Sequence, residues 1–175
     1  MTKDDLRRVM KSELKALSTD DLKLKSQSIE SALINYLDSL HHNTPLSVIG
    51  MYLPMRGEPQ WNWSQWRQYS WRLSFPSPEG NFLTPFELPD SGIWVTEGES
   101  VAPDILVIPG LAFSTQGFRL GRGTGWYDKL LARFQPRLGC VGVCFDQQFG
   151  HEFLTDTHDQ KMQMILTDLR MVMTS

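Results

Sequence analysis

Only two cysteines occur in 175 residues, too few for a disulfide framework, and no second pair or suitably spaced histidines complete a zinc pattern. Cys140 and Cys144 sit at even spacing in an apolar stretch, which points both side chains to one strand face and suits small buried thiols in a reducing compartment. No run approaches the roughly 20 apolar residues of a membrane span, and the N-terminus, Met-Thr-Lys-Asp-Asp-Leu-Arg-Arg, lacks the apolar centre of a signal peptide. A cytoplasmic protein with no membrane partner is expected. Neither sign of charge dominates: the formal net charge of −3 argues against nucleic acid as the main partner. Internal repeats and low-complexity tracts are absent as well. What remains, with 41% hydrophobic residues, is enough for a single domain over residues 1–175 with a substantial core, expected as a monomer.

Helix formers fill the first stretch, and Leu6, Met10, Leu14 and Leu17 recur at helical spacing. Ser18 offers an N-cap, and Ile29, Leu33, Leu37 and Leu40 carry a second amphipathic helix up to the break His41-His42-Asn43-Thr44-Pro45. Leu46 to Leu53 reads as a buried strand ending at Pro54 and opening onto a charged loop, Arg56-Gly57-Glu58, a good place for a ligand. The aromatics from Trp61 to Trp71 suggest a helix running into a strand Trp71–Phe75; most are read as core, with a ring stacked on a flat heterocycle as the sharper option. Short strands are expected at Phe82–Leu88 and Ile93–Val95, and a central strand at Asp104–Pro109. A helix follows from Trp126 to Phe134, then a strand Gly139–Phe145, a polar loop Asp146–Lys161, and apolar segments Met162–Thr167 and Arg170–Met173. The alternation predicts an α/β fold, a single layered domain with a mixed, largely parallel central sheet flanked by helices.

The densest chemistry lies in Arg119-Leu-Gly-Arg-Gly-Thr-Gly-Trp-Tyr-Asp128. Gly121, Gly123 and Gly125 remove the Cβ atoms that would hold a ligand off the main chain, so successive N–H groups can turn toward an anion. Arg119 and Arg122 add charge-assisted bonds suited to phosphate, and the helix starting at Trp126 favours negative charge at its N-terminus. Asp128 makes sense beside phosphates if a divalent cation lies between them. A ligand-free glycine turn explains the glycines equally well, but two guanidinium groups flanking bare backbone favour a site. The spacing matches neither G-x-x-x-x-G-K-[ST] nor G-x-G-x-x-G.

Over nearly its whole length the chain resembles the 5-formyltetrahydrofolate cyclo-ligase family. Lys3-Asp-Asp-Leu6-Arg7 is similar to the family's K-x-x-[LI]-R, Tyr52-Leu-Pro with Glu58 to its folate-facing strand end, and Val107-Ile-Pro-Gly110-Leu-Ala-Phe113 to its V-P-G-[LV]-[AG]-F. The stretch Arg119–Asp128 resembles R-L-G-x-G-x-G-[YF]-Y-D, and His158-Asp159 falls where the family has an aspartate before the final strand. The resemblance implies ATP- and Mg²⁺-dependent cyclisation of a reduced folate, 5-formyltetrahydrofolate, to 5,10-methenyltetrahydrofolate. It further implies ATP contacts from Lys3, Arg7, Arg119, Gly121, Arg122, Gly123, Thr124, Gly125, Trp126 and Tyr127. Leu53, Glu58, Arg122 and Trp126 would contact the folate, Asp128 and Asp159 the metal, and Arg122 and Asp128 would be catalytic; His158 carries no role. Pro59, Gln60, Trp61, Ser77, Thr124 and Trp126 depart from the family pattern on the folate side. Two other readings therefore stay open: a nucleotide-binding relative with a regulatory role and little folate turnover, and an ATP-using ligase for another carboxamide-like substrate.

Overall fold

Two capped helices open the chain. The computed structural model describes residues 1–85, 98–157 and 159–174; the expected strand Ile93–Val95, the end of that at Phe82–Leu88, and His158 lie outside them. In α1 (Lys3–Ala16) the Thr2 hydroxyl accepts from the Asp5 N–H while the Asp5 carboxylate reaches back to the Thr2 backbone, a reciprocal cap. Ser18 caps α2 (Thr19–Asn43) in the same sense, accepting from the Asp21 N–H. The second helix runs through the expected break at His41, because Thr44 N–H donates back to Leu40 O and His41 Nδ1 accepts from Leu46 N–H; Pro45 then ends it.

The elements that follow are β1 (Val48–Gly50), α3 (Trp63–Trp66), β2 (Arg72–Pro76), β3 (Phe82–Thr84), β4 (Glu99–Ser100), β5 (Ile105–Pro109), β6 (Ala112–Phe113), β7 (Arg119–Leu120), α4 (Trp126–Arg133), β8 (Cys140–Val143), β9 (Met164–Leu166) and β10 (Met171–Met173). Among the described residues eight strands form one sheet in the order β10-β9-β8-β5-β1-β2-β3-β4. Its centre, β2-β1-β5-β8-β9, is parallel, and antiparallel strands extend both sides. The α/β expectation of a mixed, largely parallel sheet holds. β5 is buried at every position, as a central parallel strand covered on both faces must be.

Several details differ from the sequence reading. The strand expected over Leu46–Leu53 is confined to Val48–Gly50, and the residues after it form an irregular strand end. The expected helix in the tryptophan-rich segment is only the four-residue α3. Because that crossover is mostly loop, aromatic packing holds it: Trp61, Trp63, Trp66 and Trp71 are all buried, with edge contacts between Trp61 and Trp66 at 5.9 Å and between Trp63 and Phe75 at 5.5 Å. A small antiparallel hairpin, β6–β7, interrupts what reads as a direct passage from β5 to the glycine loop. Cys140 and Cys144 share one core cluster, and burial pushes the Cys140 thiol up to about 12 against the opposing pull of Arg119, so it is inert.

Parallel strands β1 and β2 are adjacent, whereas the next strand in line, β5, lies on the other side of β1 and leads on to β8. The connections therefore diverge between β1 and β5, and ligands of such sheets bind outside the carboxyl ends at that switch point.

Glu30, on α2, ties the helix layer to the tryptophan crossover. Its Oε1 accepts from Trp66 Nε1 and from Asn62 N, both at 2.7 Å, and Ser26 Oγ one turn earlier accepts from Gln60 N at 3.0 Å. Burial raises the Glu30 pKa, partly opposed by those two hydrogen bonds. A carboxyl raised in the folded state contributes stability at low pH that is lost as pH rises through its folded titration. Glu30→Gln, which keeps an acceptor oxygen, should therefore gain in denaturation midpoint relative to wild type at neutral pH, and the gap should close on acidification. Glu30→Ala should lose about 2 kcal/mol at neutral pH, because two buried N–H groups lose their acceptor.

Candidate active site at the sheet switch point

Two cavities meet at the carboxyl ends of β1 and β5. The first, about 530 Å³, is bounded by Tyr52 and Leu53 after β1, Phe75 and Pro76 from β2, and Pro109 and Gly110 at the end of β5. Met55 and Glu58 close one side, and residues of the glycine loop from Arg119 to Tyr127 close another. Its walls are mainly apolar, with Glu58, Arg119 and Arg122 as charged groups, the composition of a site for a flat organic ligand with a few polar handles. The second is an open groove of about 510 Å³ between α1 and the glycine loop, lined by Asp4, Arg7, Arg8, Lys11, Arg122 and Gly123. Arg122 belongs to both.

The β6–β7 hairpin brings Arg119 back against the strand ends, and Gly110 makes room for it: a Cβ there would stand 2.8 Å from the Phe113 ring and 2.9 Å from Arg119 Cγ. Gly123 and Gly125 have φ of 106° and 63°, left-handed values that side chains resist. Gly125 caps α4, accepting from Lys129 N at 3.0 Å. Arg7 Nε donates to Gly121 O at 3.0 Å, fastening α1 to the loop.

Both loop arginines are held by carboxylates. Arg119 Nη2 lies 3.2 Å and 3.4 Å from the two Asp128 oxygens, and its guanidinium sits 5.1 Å from the Tyr127 ring. Its buried Nε has no hydrogen-bond partner among the described residues, a donor left over for a ligand. Arg122 donates to Glu58 Oε1 through Nε at 3.2 Å and Nη2 at 3.0 Å. Glu58 is itself only 8% exposed, and its Oε2 accepts from Met55 N at 2.9 Å. Tyr52, at the end of β1, donates to Pro59 O at 2.9 Å; burial, with Glu58 nearby, raises its phenol well above the usual range, so it stays protonated.

Of the residues singled out in the sequence, Leu53, Glu58, Arg119, Gly121, Arg122, Thr124, Gly125, Trp126 and Tyr127 line the apolar cavity, and Arg7, Arg122 and Gly123 line the groove. Lys3, Asp128 and Asp159 line neither. Lys3 Nζ bridges Asp156 at 2.9 Å and Asp159 at 3.1 Å; burial works against its charge, but these bonds outweigh it and raise the pKa. The sequence reading missed Met55, Pro78 and Leu111 in the cavity and Arg8 and Lys11 in the groove. Pro78 carries no motif, and Leu111 stands in the V-P-G-[LV]-[AG]-F stretch without a contact assigned to it; Arg8 and Lys11 were detectable from their helical spacing with Asp4 and Arg7. Pro59, Gln60, Trp61 and Ser77 do not line the cavity. Trp61 packs edge-on against Tyr52 in the core at 5.3 Å, and Gln60 N donates to Ser26 on α2.

The sequence pattern of the 5-formyltetrahydrofolate cyclo-ligase family matches residues 1–168. The chain belongs to this family. A 5-formyltetrahydrofolate cyclo-ligase of Mycolicibacterium smegmatis is 34% identical over 67 residues, 38% of this chain and 34% of that protein. The alignments with such curated relatives span between about a third and two fifths of the relatives' length. Over nearly the whole chain the fold superimposes on two solved structures. One is a 5,10-methenyltetrahydrofolate synthetase from Mycoplasma pneumoniae, with a TM-score of 0.77 at 23% identity, covering 96% of this chain and 99% of that one. The other, from Aquifex aeolicus, has a TM-score of 0.77 at 25% identity and covers 99% and 93%. In this cyclo-ligase family member the switch-point cavity and the groove thus sit on the family's fold.

Among the described residues no three His, Cys, Asp or Glu side chains gather where an ion would sit. Mg²⁺ needs no such cage, since one or two carboxylates plus phosphate oxygens hold it. Asp128, in the first turn of α4 and 23% exposed beside Arg119, offers a hard oxygen donor of that kind.

Gly110→Ala should place its methyl between Phe113 and Arg119 and destabilise the protein by roughly 1–3 kcal/mol. A shift in urea midpoint with an unchanged slope checks this; a midpoint equal to wild type would show that the strand end has slack.

Proposed function

We propose that this chain catalyses ATP- and Mg²⁺-dependent cyclisation of 5-formyltetrahydrofolate to 5,10-methenyltetrahydrofolate, with release of ADP and phosphate. The observation that carries the reading is Arg122, which lines both the apolar cavity and the cationic groove. A pteridine fits the first and a triphosphate the second, so the formyl oxygen and the γ-phosphate meet at one guanidinium. Two further observations support it. Family membership spans residues 1–168, and Pro59, Gln60, Trp61 and Ser77, which depart from the family pattern, lie off the cavity lining. Thr124 and Trp126 do line it, and they are the departures that bear on the substrate. The two unpaired, buried cysteines suit a reducing cytoplasm.

The formyl oxygen is a poor leaving group as hydroxide. Transfer of the γ-phosphoryl group onto it forms a P–O bond as the bond to ADP breaks, giving an imidate phosphate. N10 then attacks the former formyl carbon and gives up its proton to solvent or the departing phosphate, the C–O bond breaks, the ring closes and phosphate leaves. Such transfer needs alignment and charge neutralisation more than a protein nucleophile. Arg122 orients the phosphoryl group between the two ligands, and its bond to Glu58 is available for exchange. Glu58, released from that bond, accepts from pterin N–H groups, while Leu53 and Trp126 hold the ring. Arg7 and the main chain at Gly123, in the groove, begin the nucleotide cradle, and Arg119, Gly121, Thr124, Gly125 and Tyr127 would extend it along the cavity wall that they line. Asp128 would hold Mg²⁺, which would neutralise phosphate charge, with Asp159, bonded to Lys3, as the second carboxylate that the family resemblance implies.

Mixing protein, ATP, Mg²⁺ and 5-formyltetrahydrofolate should produce the near-ultraviolet absorbance of the methenyl product, and chelation by EDTA should abolish it until Mg²⁺ is restored. Nucleotide binding without that absorbance would select the relative that binds but does not turn over. Arg122→Ala and Asp128→Asn should each lower turnover by roughly 10²-fold or more, the scale of one lost transition-state contact. Wild-type rates in both variants would remove them from the mechanism.

A further inference from the structure

The charged face of α1 continues past the residues that the motif identifies. Asp4, Arg7, Arg8 and Lys11 recur at i, i+3, i+4 and i+7, one face of a helix, and all four line the groove with Arg122 and Gly123. The neighbouring stripe, Leu6, Met10 and Leu14, is buried, which fixes the rotation of the helix and keeps this face at the glycine loop. The groove holds four cations against one carboxylate. Asp4 pairs with Arg7 and Asp5 with Arg8, both exposed carboxylates at the helix start; Lys11 makes no ion pair among the described residues, so its ammonium is available to an anion.

Arg7 and Lys11 stand one turn apart, about 6 Å along the axis, a span that suits a chain of linked anionic groups better than a single one. Two such chains exist in the reaction assigned above: the polyphosphate of the nucleotide and the carboxylate tail of a glutamylated folate. The geometry favours the first, because the groove shares only Arg122 with the lining of the apolar cavity in which a folate would sit.

We propose that Arg8 and Lys11 bind the polyphosphate chain of the nucleotide and set the preference for a nucleoside triphosphate over a monophosphate. This rests on the nucleotide reading of the groove. Exposed cations of this kind act through charge that salt screens, and each charge-assisted contact is worth roughly tenfold in affinity.

The test is titration calorimetry of the full chain with Mg-ATP and with AMP, at low and high salt, for wild type, Lys11→Ala and Arg8→Ala. Lys23→Ala, an exposed lysine on α2 outside the groove, controls for net charge. Lys11→Ala should weaken ATP binding by roughly tenfold at low salt, leave AMP within about twofold, and flatten the salt dependence; Arg8→Ala should act in the same direction. Equal effects from Lys23→Ala, or equal losses for ATP and AMP, would overturn the proposal while leaving the nucleotide site intact. Weakened binding only of polyglutamylated 5-formyltetrahydrofolate, with ATP unchanged, would assign the groove to the tail and overturn it too. No heat from ATP with wild type would refute both this proposal and the function on which it rests.

Discussion

The Arg122–Glu58 ion pair spans the place where the sheet divides. Glu58 belongs to the loop that leaves β1, Arg122 to the loop that follows β7, and their contact at 3.0 Å joins segments that are 64 residues apart in sequence. Its arginine lines both an apolar cavity and a cationic groove. A partly buried ion pair that strong geometry holds in place contributes little net stability by itself, since desolvation offsets the attraction. What it supplies is position: a guanidinium held on the wall shared by two cavities, already oriented and bonded to a carboxylate.

The surrounding structure supports that arrangement at several removes. The parallel strands put the ends of β1, β2 and β5 on one side, so that main chain and small apolar residues form a floor. Arg7 reaches from α1 to the carbonyl of Gly121 and keeps the glycine loop beside the groove. On the far side of the Glu58 loop, Tyr52 bonds Pro59, Ser26 bonds Gln60, and Glu30 holds Asn62 and Trp66. These contacts explain why a crossover with one short helix still delivers Glu58 to a fixed point. They also explain why Pro59, Gln60 and Trp61, which look like changes on the folate side, serve the core.

Much of the fold was legible because its signals are local. Apolar spacing in α1 and α2, the Ser18 cap of α2, and the continuous apolar run of β5 depend on near neighbours. The four-residue α3, the shortened β1 and the β6–β7 hairpin were not, since they are settled by aromatic packing and by pairing across the chain rather than by propensity. For the candidate site the pattern was similar. The glycine-arginine stretch was recognisable as a candidate anion site from its own composition, whereas Met55 and Pro78 join the cavity only because distant strand ends converge there.

Local chemistry, then, was determined by the chain in one dimension: flexible glycines, guanidinium groups, a carboxylate at a helix start and two amphipathic helices. Membership of a folate cyclo-ligase family follows from those same residues in their order. Which arginine meets which carboxylate, and that Arg122 rather than Arg119 stands between two cavities, came from the tertiary structure alone. The reason is that an ion pair or a cavity wall is a relation between segments far apart in sequence, set by strand order and by the switch in connection between β1 and β5.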